Sequence, residues 1–274
     1  MKSFFRYIVV SFIAIMNSCS DEIALDTELD TQLLIFGTLT NIPDIVTIEI
    51  HKTVALEKKG INPVTNAAIS LYSKEPNGTK TLVTNNFEVL NNKYQSAEII
   101  TAEVGVSYWI EITLPDGNIY TSNPEVLKDV VPIDQINLNN TYPRVQFSDP
   151  DNERNFYALE VSFFNNEQFI YQDIILSTDV LFNGNSNAFL ELLSSTSGNR
   201  LSASLFNLDI NSYKFYSKII SQEDELDDAN ADGPGQLFAT PPVNLTGNIV
   251  NNTTQKKALG NFGVISISTL ELPL

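Results

Sequence analysis

The sequence is poor in the side chains on which most enzyme active sites and metal centres depend. It has one histidine (His51), one cysteine (Cys19) and one tryptophan (Trp109). A single histidine excludes a zinc site built from several imidazoles, and a Ser-His-Asp triad would have to use His51. Alternation places His51 on the polar face of a predicted strand, beside Lys52, which is typical of a surface histidine. The sequence also lacks a G-x-S-x-G nucleophile motif and a phosphate-binding glycine loop.

Positive charge is scarce as well. The chain has 16 lysine and arginine residues against 33 aspartate and glutamate residues, a net charge of −17. A chain this acidic repels phosphate backbones and anionic lipid surfaces. The charge therefore argues against nucleic acid as a partner and against electrostatic docking on membranes. Hydrophobic residues make up 43% of the chain, which excludes a disordered protein.

The longest hydrophobic run is too short to cross a membrane as a helix. It covers ten residues, Tyr7–Met16, whereas a transmembrane helix needs about 20. Lys2 and Arg6 precede the run, and two small polar residues lead from it to Cys19. These parts together indicate a secretory signal peptide over residues 1–18.

We therefore predict that Cys19 begins the mature chain and carries a lipid anchor, as in bacterial lipoproteins. An uncleaved membrane anchor is the alternative. A buried structural cysteine is disfavoured because residues 20–32 are too polar to cover it. Acyl chains on Cys19 would have to hold this acidic protein on the membrane, and stable anchoring takes more than one acyl chain. Residues 19–31 then form an acidic tether.

Residues 32–128 show the pattern of an immunoglobulin-like β-sandwich. Val46, Ile48 and Ile50 alternate with polar residues, as in a half-buried strand. In Val106–Thr113 the residues Val106, Tyr108, Ile110 and Ile112 share one face and predict a core row. Turn residues at Pro115–Asn118 then predict a hairpin into the next strand.

Residues 129–274 predict a second mainly-β domain with one helix. In the strand predicted over Asn155–Phe164, Tyr157, Leu159, Val161 and Phe163 share a face. Helical spacing of apolar residues predicts a helix near 210–223, capped by Asp209 or Asn211. A closing strand is predicted over Gly263–Leu270. The fold class expected for the chain is therefore mainly β, as two consecutive domains.

An acidic segment after the helix fits half of a calcium loop. Asp228, Asn230 and Asp232 occupy alternate positions before Gly233, so their oxygens could converge on one cation. The acid expected at the twelfth position is absent, since Ala239 stands there. The alternative is a plain acidic loop, although acidic residues at a helix C-terminus oppose the helix dipole. We retain the three residues as candidate calcium ligands and expect no other cofactor.

Two further features could serve binding or catalysis. Trp109 lies on the strand face opposite Tyr108, where it is either exposed for stacking on a sugar or peptide or covered by the second domain. Asp149, Asp151 and Glu153 are close in sequence and could supply the paired carboxylates of a glycosidase. A polar turn explains these three residues better.

Several short segments resemble one family of bacterial lipoproteins. They are spread over both halves of the chain: Asn66–Ile69, Gly105–Tyr108, Leu114–Ser122, Gln146–Pro150, Asn155–Tyr157, Asp179–Gly184, Ser212–Tyr216, Pro241–Asn244 and Leu259–Gly263. In this order they are similar to the domain-of-unknown-function family 4249 of Bacteroidetes outer membranes. The Cys-Ser-Asp-Glu start also resembles the export signal of surface-exposed lipoproteins in that group.

The resemblance implies an accessory role in nutrient uptake, with a TonB-dependent receptor as the partner and the outer membrane as the location. It implies no catalytic residues. The function expected from the sequence is therefore that of a lipid-anchored binding protein and not an enzyme. A structural or adhesive cell-surface protein is the first alternative, and a carboxylate-based hydrolase is the second.

Overall fold

β-strands dominate the structure, which confirms the predicted mainly-β fold class. The computed structural model describes residues 31–54, 62–151, 153–230 and 245–274, and for 223–230 it describes the backbone alone. The described residues contain one α-helix, α1 (Ile210–Asn230), and a short 3-10 helix at Asp179–Leu181. The strands are β1 (Leu33–Thr40), β2 (Asp44–Lys52), β3 (Asn62–Pro63), β4 (Ala68–Lys74), β5 (Thr81–Thr84), β6 (Phe87–Leu90), β7 (Lys93–Ile100), β8 (Ser107–Thr113), β9 (Ile119–Ser122), β10 (Glu125–Val126), β11 (Ile133–Asn139), β12 (Tyr142–Phe147), β13 (Phe156–Asn165), β14 (Gln168–Thr178), β15 (Ala188–Glu191), β16 (Arg200–Leu208), β17 (Thr246–Asn251) and β18 (Lys257–Pro273).

The N-terminal strands belong to a long sheet that folds over one apolar core. Its strands follow the order β5-β4-β8-β9-β17-β18-β1-β2-β7-β6, and all neighbours are antiparallel except β1 and β18. Strand alternation turns Ile35, Ile48, Leu71 and Ile110 into this core, where none of them is exposed. The predicted core rows of β2 and β8 are confirmed. So is the hairpin after β8, where Gly117 takes a positive φ of 85°.

A second sheet-on-sheet layer follows in the C-terminal half. The last part of β18 pairs with β16, which pairs with β13, and β13 pairs with β14. One face of these four strands packs on the small sheet β11-β12-β15 and buries a second apolar core. Tyr157, Leu159, Val161 and Phe163 are fully buried there, as the sequence pattern predicted.

The sequence predicted a domain boundary at 128/129, and the long sheet crosses it. β17 pairs with β9, and β18 inserts beside β1, so strands after the predicted boundary complete the sheet that precedes it. The connecting segment is also fastened to later strands. Asp129 O accepts hydrogen bonds from Ser266 Oγ at 3.0 Å and Asn207 Nδ2 at 3.2 Å. Residues 31–274 form one compact unit.

Helix α1 begins where the sequence predicted and ends later. Asp209 is the N-cap: its Oδ1 accepts the backbone N–H of Asn211 at 2.8 Å. The helix continues to Asn230 instead of ending near 223. Its apolar side, including Tyr213 and Tyr216, packs on the face of the four-stranded sheet that points away from the second core. We call this the outer face.

Candidate functional site

The predicted lipidation and calcium residues lie mostly outside the described residues. Cys19 and Asp232 are not described, and neither are the side chains of Asp228 and Asn230. The backbone at 228 and 230 is helical, so this part of the predicted calcium loop is the last turn of α1 rather than a turn of its own. Among the side chains that are described, no group of three or more His, Cys, Asp or Glu could hold a metal ion.

Trp109 is not an exposed binding residue. Its side chain is 8% exposed and stacks on Tyr72, its cross-strand neighbour on β4, with ring centroids 5.7 Å apart. Glu111 Oε1 accepts hydrogen bonds from Trp109 Nε1 at 3.3 Å and from Lys80 Nζ at 2.5 Å. Tyr72 and Glu111, which contact the ring, belong to the same sheet as Trp109.

His51 lies on the polar face of β2, as predicted, but it is mostly buried. Its side chain is 12% exposed, and Nε2 lies 3.2 Å from Glu49 Oε2. Lys93 Nζ lies 2.5 Å from the other oxygen of Glu49, and this hydrogen bond holds the pKa of Glu49 below its usual value. Glu49 therefore contacts both Lys93 and the imidazole of His51 on this face of the sheet.

Asp149 fastens two loops together. Its Oδ1 accepts a 2.6 Å hydrogen bond from the Tyr157 hydroxyl, and its Oδ2 accepts the backbone N–H of Gly184 at 2.9 Å. Nearby, Asp179 Oδ2 accepts the backbone N–H of Asn155 at 2.6 Å. Three of the family-like segments, Gln146–Pro150, Asn155–Tyr157 and Asp179–Gly184, meet through these bonds. This geometry supports a structural role for Asp149, since both its oxygens are occupied.

The other two candidate carboxylates, Asp151 and Glu153, lie in a polar turn. Asp151 is exposed, and Glu153 forms an ion pair with Lys128. These two side chains line an open, polar depression beside Asp179 and Arg154. The polar-turn interpretation of residues 149–153 fits this arrangement.

A cavity that the sequence did not indicate lies where β1, α1 and the four-stranded sheet come together. Its volume is about 220 Å³. The walls are mostly apolar and come from the outer face: Ala158, Ile174, Phe206, Leu208, Ile265 and Ile267. Three polar side chains complete the lining: Thr38 from β1, Glu160 from β13 and Tyr216 from α1. We call this space the Glu160 cavity.

Strand alternation directs Glu160 into the cavity. Because Leu159 and Val161 fill the second core, the residue between them must point to the outer face. Glu160 pairs across the sheet with Ile174 on one side and Ser204 on the other. It therefore marks the border between the apolar rows under α1 and a polar row, in which Ser204 Oγ lies 3.0 Å from Thr269 Oγ1.

The carboxylate of Glu160 has neither a hydrogen-bond partner nor an ion-pair partner among the described residues. Burial raises its pKa above the usual value, because a half-buried carboxylate loses part of its hydration. Arg200, on the same face of β16, is already occupied: its guanidinium lies 2.6 Å from Glu271 Oε1 and 3.9 Å from Glu167 Oε2. The cavity thus combines apolar walls with one uncompensated acid.

The hydroxyl groups of Tyr216 and Thr38 form the other polar edge of the cavity. Burial raises the pKa of Tyr216, and the neighbouring Thr38 side chain partly opposes this shift. Thr38 is exposed to solvent, so the cavity reaches the surface on that side. Apolar walls with a few fixed polar groups are the usual composition of a small-molecule site.

One sequence signal for Glu160 was present. It is the only charged residue in Phe156–Phe164, a segment that is apolar on both strand faces. A nearly continuous apolar run is typical of a strand covered on both sides, and a lone acid within it indicates a special environment. No spacing in the sequence could have grouped Glu160 with Thr38 and Tyr216, because helix and sheet packing brings them together.

One comparison, with protein-family models, agrees with the resemblance found in the sequence. No helix among the described residues is long and apolar enough to span a membrane. No curated protein matches the sequence. A crystal structure of the calcium binding domain CBD12 of CALX1.1 aligns at 11% identity over 86% of this chain and 98% of its own, with a TM-score of 0.19. The family model for the domain of unknown function DUF4249 matches residues 20–271, almost the whole chain, and the protein therefore belongs to the DUF4249 family.

Proposed function

We propose that this chain is a lipid-anchored binding protein of the outer membrane, which holds a small ligand in the Glu160 cavity and presents it to a TonB-dependent receptor. One observation carries the proposal: Glu160 is an unpaired carboxylate in a cavity whose walls are mostly apolar. The buried carboxylates of Glu125, Asp149 and Asp179 are all engaged in hydrogen bonds within the fold. Glu160 alone of these four is left for an external partner.

The arrangement supports binding more than catalysis. Nucleophilic catalysis needs a nucleophile within hydrogen-bond reach of the base that activates it. The lining of the cavity offers one carboxylate and two hydroxyl groups, and Glu160 is hydrogen-bonded to neither hydroxyl. A site of this composition can orient a ligand and neutralise its charge.

Attachment to the membrane is proposed from the sequence. The run Tyr7–Met16, ending at Cys19, supports lipidation, and the acidic segment after it supports a tether. The receptor partner is proposed from the family resemblance, and the family itself is shown by the match over residues 20–271.

Fractionation of a lipoprotein-processing host tests the anchor. We expect the full chain in the outer-membrane fraction with acyl chains on Cys19, and we expect Cys19→Ser to lose the acyl chains and leave that fraction. Ser20→Ala is the matched control and should behave like the wild type. An unmodified Cys19, or a Cys19→Ser chain that stays in the outer membrane, would contradict the proposal.

Mild detergent extraction tests the partner. A receptor accessory should bring down a large outer-membrane barrel with the tagged wild-type chain, and Cys19→Ser should not. If the acylated wild-type chain is recovered without a barrel, the receptor part of the proposal is wrong. A structural or adhesive surface protein would then be favoured.

A further inference from the structure

We propose that the Glu160 cavity selects a small organic cation, namely a short alkyl chain that ends in a primary ammonium group. This inference rests on the proposed function, since it names the ligand class of the same cavity. The alkyl part would lie on the outer-face residues Phe206 and Ile267, and the ammonium group would meet the carboxylate of Glu160. The argument depends on size, on charge and on the groups around the acid.

The size of the cavity sets the length of the ligand. A volume of about 220 Å³ corresponds to roughly seven water volumes of about 30 Å³ each. Drug-sized ligands occupy larger pockets, of about 300–1,000 Å³. The space therefore suits a chain of roughly six non-hydrogen atoms, and it is too small for an oligosaccharide or a folded peptide.

The charge of the cavity sets the head group. Glu160 is half-buried beside apolar walls, and it has no cationic partner among the described residues. An unpaired carboxylate in such a place is costly, and the charge of a bound cation offsets part of that cost. An anionic ligand would add a second negative charge to the same space, within a chain of net charge −17.

The surrounding groups do not compete for this role. On β16 the only cationic side chain of the outer face, Arg200, is paired with Glu271 on β18. The titratable side chain that α1 places in the cavity is Tyr216, and burial raises the pKa of its hydroxyl, which therefore stays neutral at neutral pH. Glu160 is therefore the group that decides between a cationic and a neutral ligand of the same shape.

Calorimetric titration of the full chain in lipid nanodiscs, with empty nanodiscs subtracted, tests the inference. The probes are pentylammonium, 1-pentanol and pentanoate, which share one alkyl body. We expect pentylammonium to bind with one-to-one stoichiometry, 1-pentanol to bind more weakly, and pentanoate not to bind. Glu160→Gln should weaken pentylammonium binding by at least about tenfold, the loss of a charge-assisted contact, and leave 1-pentanol binding unchanged.

Two further variants separate the possible results. Glu88→Gln, which removes an exposed carboxylate on β6, is the charge control and should bind like the wild type. Ala158→Leu fills the cavity and should abolish binding of both pentylammonium and 1-pentanol. Thermal melting of every variant checks that it is folded. If Ala158→Leu does not fold, Glu160→Gln still tests the inference, because glutamine keeps the shape of the glutamate side chain.

The outcomes distinguish this inference from the proposed function. If pentylammonium and 1-pentanol bind equally, and Glu160→Gln changes neither, the cavity binds ligands but the cationic class is wrong. If no probe binds the wild-type chain, or if folded Ala158→Leu binds as well as the wild type, the cavity is not the binding site. The proposed ligand-holding function then fails too.

Discussion

Asn248 donates a 2.7 Å hydrogen bond from Nδ2 to Oε1 of Glu125, a residue that lies 123 positions earlier in the chain. Both side chains are 1% exposed. The other carboxylate oxygen, Oε2, accepts hydrogen bonds from Ser212 Oγ at 3.2 Å and from the backbone N–H of Val264 at 3.3 Å. One buried acid therefore connects β10 with α1, β17 and β18, the elements that join the two halves of the fold.

The buried position of Glu125 predicts a pH-dependent stability. Burial, and next the negative charge of Asp209, raise the pKa of Glu125 to about 7. The folded chain thus holds this proton more tightly than the unfolded chain, whose pKa is near 4.5. The resulting stabilisation is complete below pH 4.5 and is lost as the pH rises to 7, a loss of about 3 kcal/mol.

Urea unfolding of the wild type and Glu125→Gln between pH 4 and pH 8 checks this prediction. The free energy of unfolding of the wild type should fall more steeply with rising pH, because the amide cannot ionise. Glu98→Gln removes an exposed carboxylate and should follow the wild-type curve. Parallel curves for the wild type and Glu125→Gln would contradict the prediction.

Gly260 is predicted to be the least replaceable glycine of the parallel pair between β1 and β18. Its φ is +88°, and a Cβ atom there would lie 1.9 Å from the backbone oxygen of Ile35. Since a backbone atom cannot move aside cheaply, Gly260→Ala should cost more than about 4 kcal/mol of unfolding free energy. Urea unfolding at constant pH measures this loss.

Gly105→Ala is the matched control for Gly260→Ala. Gly105 has a similar φ of +81°, but a Cβ atom there would meet nothing within 4 Å. Only the cost of a left-handed backbone conformation remains, about 1–2 kcal/mol. Equal losses for the two variants would mean that contact with β1 is not what excludes a side chain at 260.

The part of the fold that depends on neighbours in sequence could be predicted. The alternation of apolar and polar residues predicted the core rows of β2, β8 and β13, and the capping residue Asp209 predicted the start of α1. The insertion of β18 beside β1 could not be predicted, because pairing between distant strands leaves no local pattern. The predicted boundary at 128/129 followed chain order, whereas the sheet does not.

The candidate site could also be predicted only where it depends on local sequence patterns. Alternation placed Trp109 correctly on the face opposite Tyr108, but its exposure depends on Tyr72 and Lys80, which belong to other segments. Glu160 was visible as a lone acid in an apolar strand. The cavity around it required α1 to cross the outer face, and only the three-dimensional packing gives that position.

Trp109 provides a spectroscopic prediction, because it is the only tryptophan in the chain. Its burial against Tyr72 should shift the emission of the native protein to shorter wavelength and protect it from acrylamide quenching. Unfolding in urea should reverse both properties and serves as the internal control. A native emission spectrum that matches the unfolded one, or that shifts when soluble glycans are added, would restore Trp109 as an exposed binding residue.

Tyr157→Phe is predicted to destabilise the protein through one hydrogen bond. The phenyl ring keeps its packing against Phe147, whose centroid lies 5.0 Å away, but Asp149 loses the donor to its Oδ1. Because Asp149 is 6% exposed, water cannot easily replace that donor, and the cost should be about 1–3 kcal/mol. Tyr142→Phe is the matched control, because the Tyr142 hydroxyl has no hydrogen-bond partner among the described residues. Removing this hydroxyl should change the free energy of unfolding by less than about 0.5 kcal/mol. If both variants unfold at the wild-type urea concentration, the hydrogen bond between Tyr157 and Asp149 does not stabilise the contact between the segments Gln146–Pro150 and Asn155–Tyr157.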